Sequence, residues 1–234
     1  MSISKISHSM RPVGSIAAFV CASTYLIGFA ILLTVLAPFG YGTNALDAPA
    51  IIKFANETPL ILILWNLIIY VLNAICLLLL ASALTLHFIE RTPELAIVVF
   101  ALGLIWCALV LGAGMIANVA IEHSGALYEV DPTQAAQDWL LLHRVELGLG
   151  GGNEIVGGLW VLICTLAALR SEGFSMGLKA LGLLVGISGL LTVLPPFGEV
   201  AGAVFGLGMI AWFILVGWAL TNQGYGRGQR RNVE

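Results

Sequence analysis

The chain has 234 residues, 59% of them hydrophobic and only 10% charged, with a net charge of −3. A soluble globular domain carries about 25% charged residues, so this chain lacks the polar groups to coat a water-facing surface. No basic patch exists beyond a short tail, which argues against nucleic acid as a partner. Mean hydropathy is +1.00, and several apolar runs of about 20 residues or more predict an all-α polytopic protein whose partner is the lipid bilayer.

Residues 1–12 carry Lys5 and Arg11 ahead of an apolar run from Val13 to Ala37. That run exceeds the roughly 7–15 residues of a signal-peptide core, and no small-residue cleavage site follows, so it reads as a retained anchor helix. It is span one, closed by Pro38-Phe39-Gly40. Five more spans follow at about 60–88, 94–121, 140–169, 178–194 and 200–220, so residues 13–220 read as one six-helix transmembrane domain. Residues 221–234 are a Gly- and Arg-rich basic tail. With the N-terminus inside, Lys5, Arg11, Arg91, Arg170, Lys179, Arg227, Arg230 and Arg231 fall on one side and only Lys53 and Arg144 on the other. Such asymmetry predicts both termini in the cytoplasm, in a multi-pass protein of the cytoplasmic (inner) membrane.

Two outer loops have structure of their own. Asp47 before Pro49, followed by Ile51, Ile52 and Phe54, suits a short helix lying at the interface. Asp131 is a plausible N-cap with Pro132 at the first helical position. Nothing between Pro132 and Arg170 stops a helix. Its length would be roughly 58 Å at 1.5 Å per residue, against a hydrocarbon core of about 30 Å. Span four is therefore expected to protrude, or to kink at Gly148, Gly150, Gly151 and Gly152.

Span four also carries the polar seam. On a helix, Trp139, His143, Glu146, Gly150, Asn153, Glu154, Gly157 and Trp160 share one third of the circumference, and Arg144 points elsewhere. A carboxylate in hydrocarbon costs roughly 2.5–3.5 kcal/mol on insertion scales, so these groups should face protein or a watery cavity. Span two offers Asn66, Tyr70 and Asn73 on one face, at depths that bracket Asn153 and Glu154. Packing the two faces together would give Glu154 amide and phenol donors. A carboxyl so placed suits a proton or small-solute site, and the plainer alternative is interhelical glue of about 0.6 kcal/mol per polar pair.

A second cluster collects at the outer rim: Glu122, His123, His143, Glu146 and Glu199. His143 and Glu146 stand three apart and can face one point, and with Glu122 and His123 the donor set would suit zinc or iron. No HxxxH or repeated ExxH pattern supports it, so no cofactor is expected from the sequence. Gly198, Gly202 and Gly206 form one small-residue row, and Gly182 and Gly186 another. These predict close packing of spans four to six, and the same faces suit a homo-oligomer. Cys21, Cys76, Cys107 and Cys164 lie inside spans and read as small hydrophobes. Finally, GFAILLTVLAPFG (Gly28 to Gly40) and GISGLLTVLPPFG (Gly186 to Gly198) echo each other, as a duplication or as convergence of Leu-rich helix ends.

The C-terminal half, GGGNEIVGGLWVLICTLAALRSEGFSMGLKALGLLVGISGLLTVLPPFGEV followed by VFGLGMIAWFILVGWAL, resembles a bacterial group called domain of unknown function 4386. The resemblance covers about the last 90 residues, with span one matching more loosely. It implies a six-helix bundle in a bacterial cytoplasmic membrane; the group has no established activity, so no catalytic residues carry over. Where the group often has a proline-containing basic turn, this chain has Arg170-Ser171-Glu172-Gly173, and no proline follows in Phe174-Ser175-Met176. The leading functional expectation is a non-enzymatic membrane protein with an outward-facing polar cavity lined by span four, taking a proton or a small-molecule ligand. A metal-dependent membrane enzyme using the rim, and an accessory or scaffold subunit, remain open beside it.

Overall fold

Prolines and short polar side chains set most of the helix boundaries. The computed structural model describes residues 3–151, 154–171 and 173–231. Its helices are α1 (Ile3–Ile31), α2 (Ala48–Glu57), α3 (Pro59–Asn66), α4 (Asn73–Phe88), α5 (Pro93–Tyr128), α6 (Pro132–Glu146), α7 (Ile155–Leu169), α8 (Met176–Leu191) and α9 (Gly198–Arg231). No strand occurs among the described residues. Pro59, Pro93 and Pro132 each open a helix, where the missing N–H costs nothing and the fixed φ is already helical. Asp131 caps α6, its Oδ1 accepting from the N–H of Thr133 at 3.1 Å and of Gln134 at 3.0 Å. Asp47 caps α2 through the N–H of Ala50 at 3.1 Å, and Ser175 caps α8 through that of Leu178 at 3.2 Å.

Among the described residues, five stretches are long and apolar enough to cross a membrane: Lys5–Phe39, Pro59–Phe88, Pro93–Tyr128, Pro132–Leu169 and Gly198–Asn222. Large apolar side chains such as Leu64, Ile97 and Leu207 stand exposed along them, an arrangement suited to lipid. This is the build of an integral membrane protein. The expected fifth span, 178–194, is helical only to Leu191, and α8 has 16 residues. At 1.5 Å each that is about 24 Å, short of a ~30 Å core. Turns replace the helix from Thr192 onward, just ahead of Pro195 and Pro196, whose rings cannot continue it.

Wide π-helical turns interrupt the regular pattern at Leu32–Leu36, Leu67–Leu72 and Leu147–Gly151. The last separates α6 from α7, with Gly150 at φ 139°, a conformation in which a Cβ would be strained. The break falls on the glycines expected to kink span four; Gly152 and Asn153 lie outside the described residues.

The chain divides into two units: Met1–Ser23, Ile75–Cys107 and Glu154–Glu234 form the first, Thr24–Ala74 and Ala108–Asn153 the second. In the first, α7 meets α8 at glycines. A Cβ on Gly158 would stand 2.7 Å from the Gly186 carbonyl oxygen and 2.9 Å from Gly189 Cα, and one on Gly182 would strike Thr165 Oγ1. In the other row Gly202 is open, since a Cβ there would meet nothing within 4 Å. Trp160, fully buried, donates its indole N–H to the Val99 carbonyl at 2.9 Å and packs on Trp106 and Trp212, each at 5.5 Å between centroids. The four cysteines are buried. The two echoing segments end differently: Gly40 is left-handed at φ 68° and closes a helix, whereas Gly198 is the first residue of α9.

In the second unit, α2 lays its apolar side on protein. Ile51 and Ile52 are fully buried in a core that includes Ala135, Ala136 and Trp139 of α6. The small alanines let the two helices approach, and burying each isoleucine contributes about 1.5–3 kcal/mol. A helix lying in the membrane interface would keep that side for lipid; here α6 takes it.

Candidate functional site

Helix α6 delivers the densest polar cluster of the second unit. With i, i+3 and i, i+4 spacing, Trp139, His143 and Glu146 share one face, while Arg144 between them is exposed. Glu146 is 2% exposed and His143 4% exposed. A buried carboxyl is costly unless its oxygens find hydrogen-bond partners. Both oxygens of Glu146 do. The Tyr70 hydroxyl donates to Oε1 at 2.6 Å, and His143 Nδ1 lies 2.9 Å from Oε2. Which atom donates across the His143 Nδ1–Glu146 Oε2 contact depends on the imidazole tautomer.

Aromatic rings close around it. His143 stacks on Trp139 at 4.8 Å and 11°, and Tyr41 stands 5.1 Å from the imidazole at 53°. Tyr41 also meets Trp65 edge-on at 5.5 Å. Its placement comes from the turn after the first long helix, where Gly40 and Gly42 take φ values of 68° and 79°. Removal from water pushes the Tyr41 hydroxyl well above the ordinary tyrosine range, and the Glu146 carboxylate adds to the effect.

Tyr70 sits in the wide turn Leu67–Leu72, and its Cβ lies against Gly114 of α5, where any added Cβ would collide with it. Gly114 admits the tyrosine; the π-helical turn presents it. Such turns recur at functional sites.

The expected site residues distribute as follows. His143, Glu146 and Tyr70 come together. Tyr70 was expected to serve Glu154; the carboxyl it meets is Glu146, because the π-helical turn and the break after Glu146 upset a depth count based on regular helices. Asn66 donates to Asn118 Oδ1 at 3.2 Å, and Asn73 to Thr24 Oγ1 at 2.7 Å, also within this unit. Glu154 belongs to the first unit. It is half-buried at the N-cap of α7, with its backbone N–H donating to Thr192 Oγ1 at 3.0 Å. Asn153 lies outside the described residues.

At the rim, Glu122 and His123 are exposed, and His123 Nε2 pairs with Asp138 Oδ2 at 3.2 Å. Glu199 is exposed in the first turn of α9. Among the described residues, no three His, Cys, Asp or Glu gather as a metal-holding group. Tyr41, Gly114, Asn118 and Thr24 were missed from sequence. Only the Gly40-Tyr41-Gly42 pattern, an aromatic between two turn glycines, offered a signal. No protein-family model matches the chain, and no curated protein or solved structure matches it.

Proposed function

We propose that this is a multi-pass protein of the bacterial inner membrane, related to the domain of unknown function 4386 group, that binds or passes a proton at Glu146, His143 and Tyr70. Six crossings with both termini cytoplasmic, counting α8, complete the reading. The observation that carries it is the Glu146 carboxyl, 2% exposed, with Tyr70 and His143 on its two oxygens. A buried carboxyl hydrogen-bonded to an imidazole and a phenol, enclosed by aromatic rings, is the usual equipment of a relay inside a membrane. Glu146 takes the place given to Glu154 in the sequence reading because its hydrogen bonds are in hand. A polar small solute could be recognised by the same carboxyl and rings.

The test is infrared difference spectroscopy on the full chain in lipid, between about pH 4 and about pH 9, the range in which carboxyl and imidazole groups exchange protons. A carboxyl band that titrates, vanishes in Glu146→Gln and survives in Glu154→Gln is the expected result. A band removed by Glu154→Gln alone moves the site to the start of α7. No titrating band at all leaves the cluster as packing, the scaffold reading.

A further inference from the structure

We propose that the Asn66–Asn118 pair of the second unit binds an ordered water, and that protons of the Tyr70–Glu146 hydrogen bond exchange with solvent through it. The inference rests on the proposed proton site and extends it by one station.

Asn66 is 3% exposed. Its Nδ2 donates to Asn118 Oδ1 at 3.2 Å, yet its own Oδ1 is buried and meets no donor among the described residues. Turning both amides over exchanges donor and acceptor but still leaves one buried polar atom of Asn66 unmatched. Buried polar atoms are very rarely left so, because the desolvation is uncompensated. The complement has to be small, and it has to serve a carboxamide in either orientation. A water does both, donating and accepting; an ammonium only donates and an anion only accepts.

Position gives this water its role. Asn66 precedes Tyr70 by four residues on one helix, and Asn118 follows Gly114 by four on the other. Since Gly114 lies against Tyr70 Cβ and Asn118 holds Asn66, the two helices run antiparallel in register, with the amide pair about one turn from the tyrosine. The wide turn Leu67–Leu72 begins at the next residue, so the backbone between Asn66 and Tyr70 departs from the regular ladder. The amide pair is therefore the adjacent polar station along the same two helices.

Magic-angle-spinning NMR on the full chain in lipid, with labelled asparagine and tyrosine, tests both halves. In wild type a water cross-peak on the Asn66 side-chain amide is expected. In Asn66→Leu the Tyr70 hydroxyl should keep its shift, reporting an intact bond to Glu146, while its exchange with deuterated solvent slows by about tenfold or more. Absence of the cross-peak in wild type overturns the water, and an unchanged exchange rate in Asn66→Leu overturns its role. The Glu146 infrared band keeps the two readings apart. A cross-peak with a Glu146 that never titrates removes the proton site and leaves the water; a titrating Glu146 without the cross-peak removes the water alone.

Discussion

The Tyr70 hydroxyl is the residue-scale hinge of the cluster. Tyr70→Phe keeps the ring in its seat against Gly114 and deletes only the donor to Glu146 Oε1, at 2.6 Å the shortest bond to that carboxyl. Leaving a buried acceptor short of one donor costs about 1–3 kcal/mol, and unfolding in mixed detergent should show that loss. Tyr41 makes stability depend on pH in the alkaline range. Its folded pKa lies above the ordinary value near 10, so the unfolded chain releases that proton first. Stability is whole below about pH 10 and falls as pH rises above it; Tyr41→Phe should flatten that fall, seen by unfolding across the alkaline range. The pairing of His143 with Glu146 was legible because three-residue spacing on a helix is local geometry. Tyr70 was legible as a polar group on an apolar face. Its true partner was not, since one π-helical turn rotates everything beyond it, and such turns depend on tertiary packing. Tyr41 stayed hidden for a different reason: two left-handed glycines, not a helical period, aim it.

At the scale of elements, glycine decides which helices touch closely. Gly158 faces Gly186 of one small-residue row and Gly202 belongs to the other row, yet their surroundings differ. A methyl on Gly158 would press on the backbone of Gly186 and Gly189, at 2.7 and 2.9 Å, and backbone cannot turn aside. Gly158→Ala should therefore destabilise by about 1–3 kcal/mol, the cost of overpacking. A methyl on Gly202 meets nothing within 4 Å, so Gly202→Ala should be neutral, or stabilise by up to about 1 kcal/mol through helix propensity. Parallel unfolding curves of the two variants check the contrast; equal effects would sink the assignment of the α7–α8 contact. Long helices were readable here because apolar runs, opening prolines and Asp or Ser caps are written locally. The seat of α2 on α6 was not, because it depends on which neighbouring surface is on offer.

For the whole molecule, the open quantity is the number of crossings, and α8 decides it. Its 16 residues fall about 6 Å short of a ~30 Å core, which argues for a helix that stops inside the membrane. Charge argues the other way. Arg170 and Lys179 flank the turn before α8, and Arg227, Arg230 and Arg231 end the chain. Both groups can lie on the cytoplasmic side only if α8 and α9 each cross. A mismatch of this size costs fractions of a kcal/mol per Å and is met by local thinning of the bilayer. Stranding a cluster of arginines on the wrong side opposes the main determinant of orientation, so six crossings should win. The four native cysteines are buried, which gives a quiet background for labelling with a membrane-impermeant thiol reagent. Ser9→Cys and Asn222→Cys, both at exposed positions, should label from one side, and Lys53→Cys and Thr133→Cys from the other. Should Asn222→Cys label together with Lys53→Cys, α8 turns back without crossing, the chain has five spans, and the arginine tail lies across the membrane from its N-terminus.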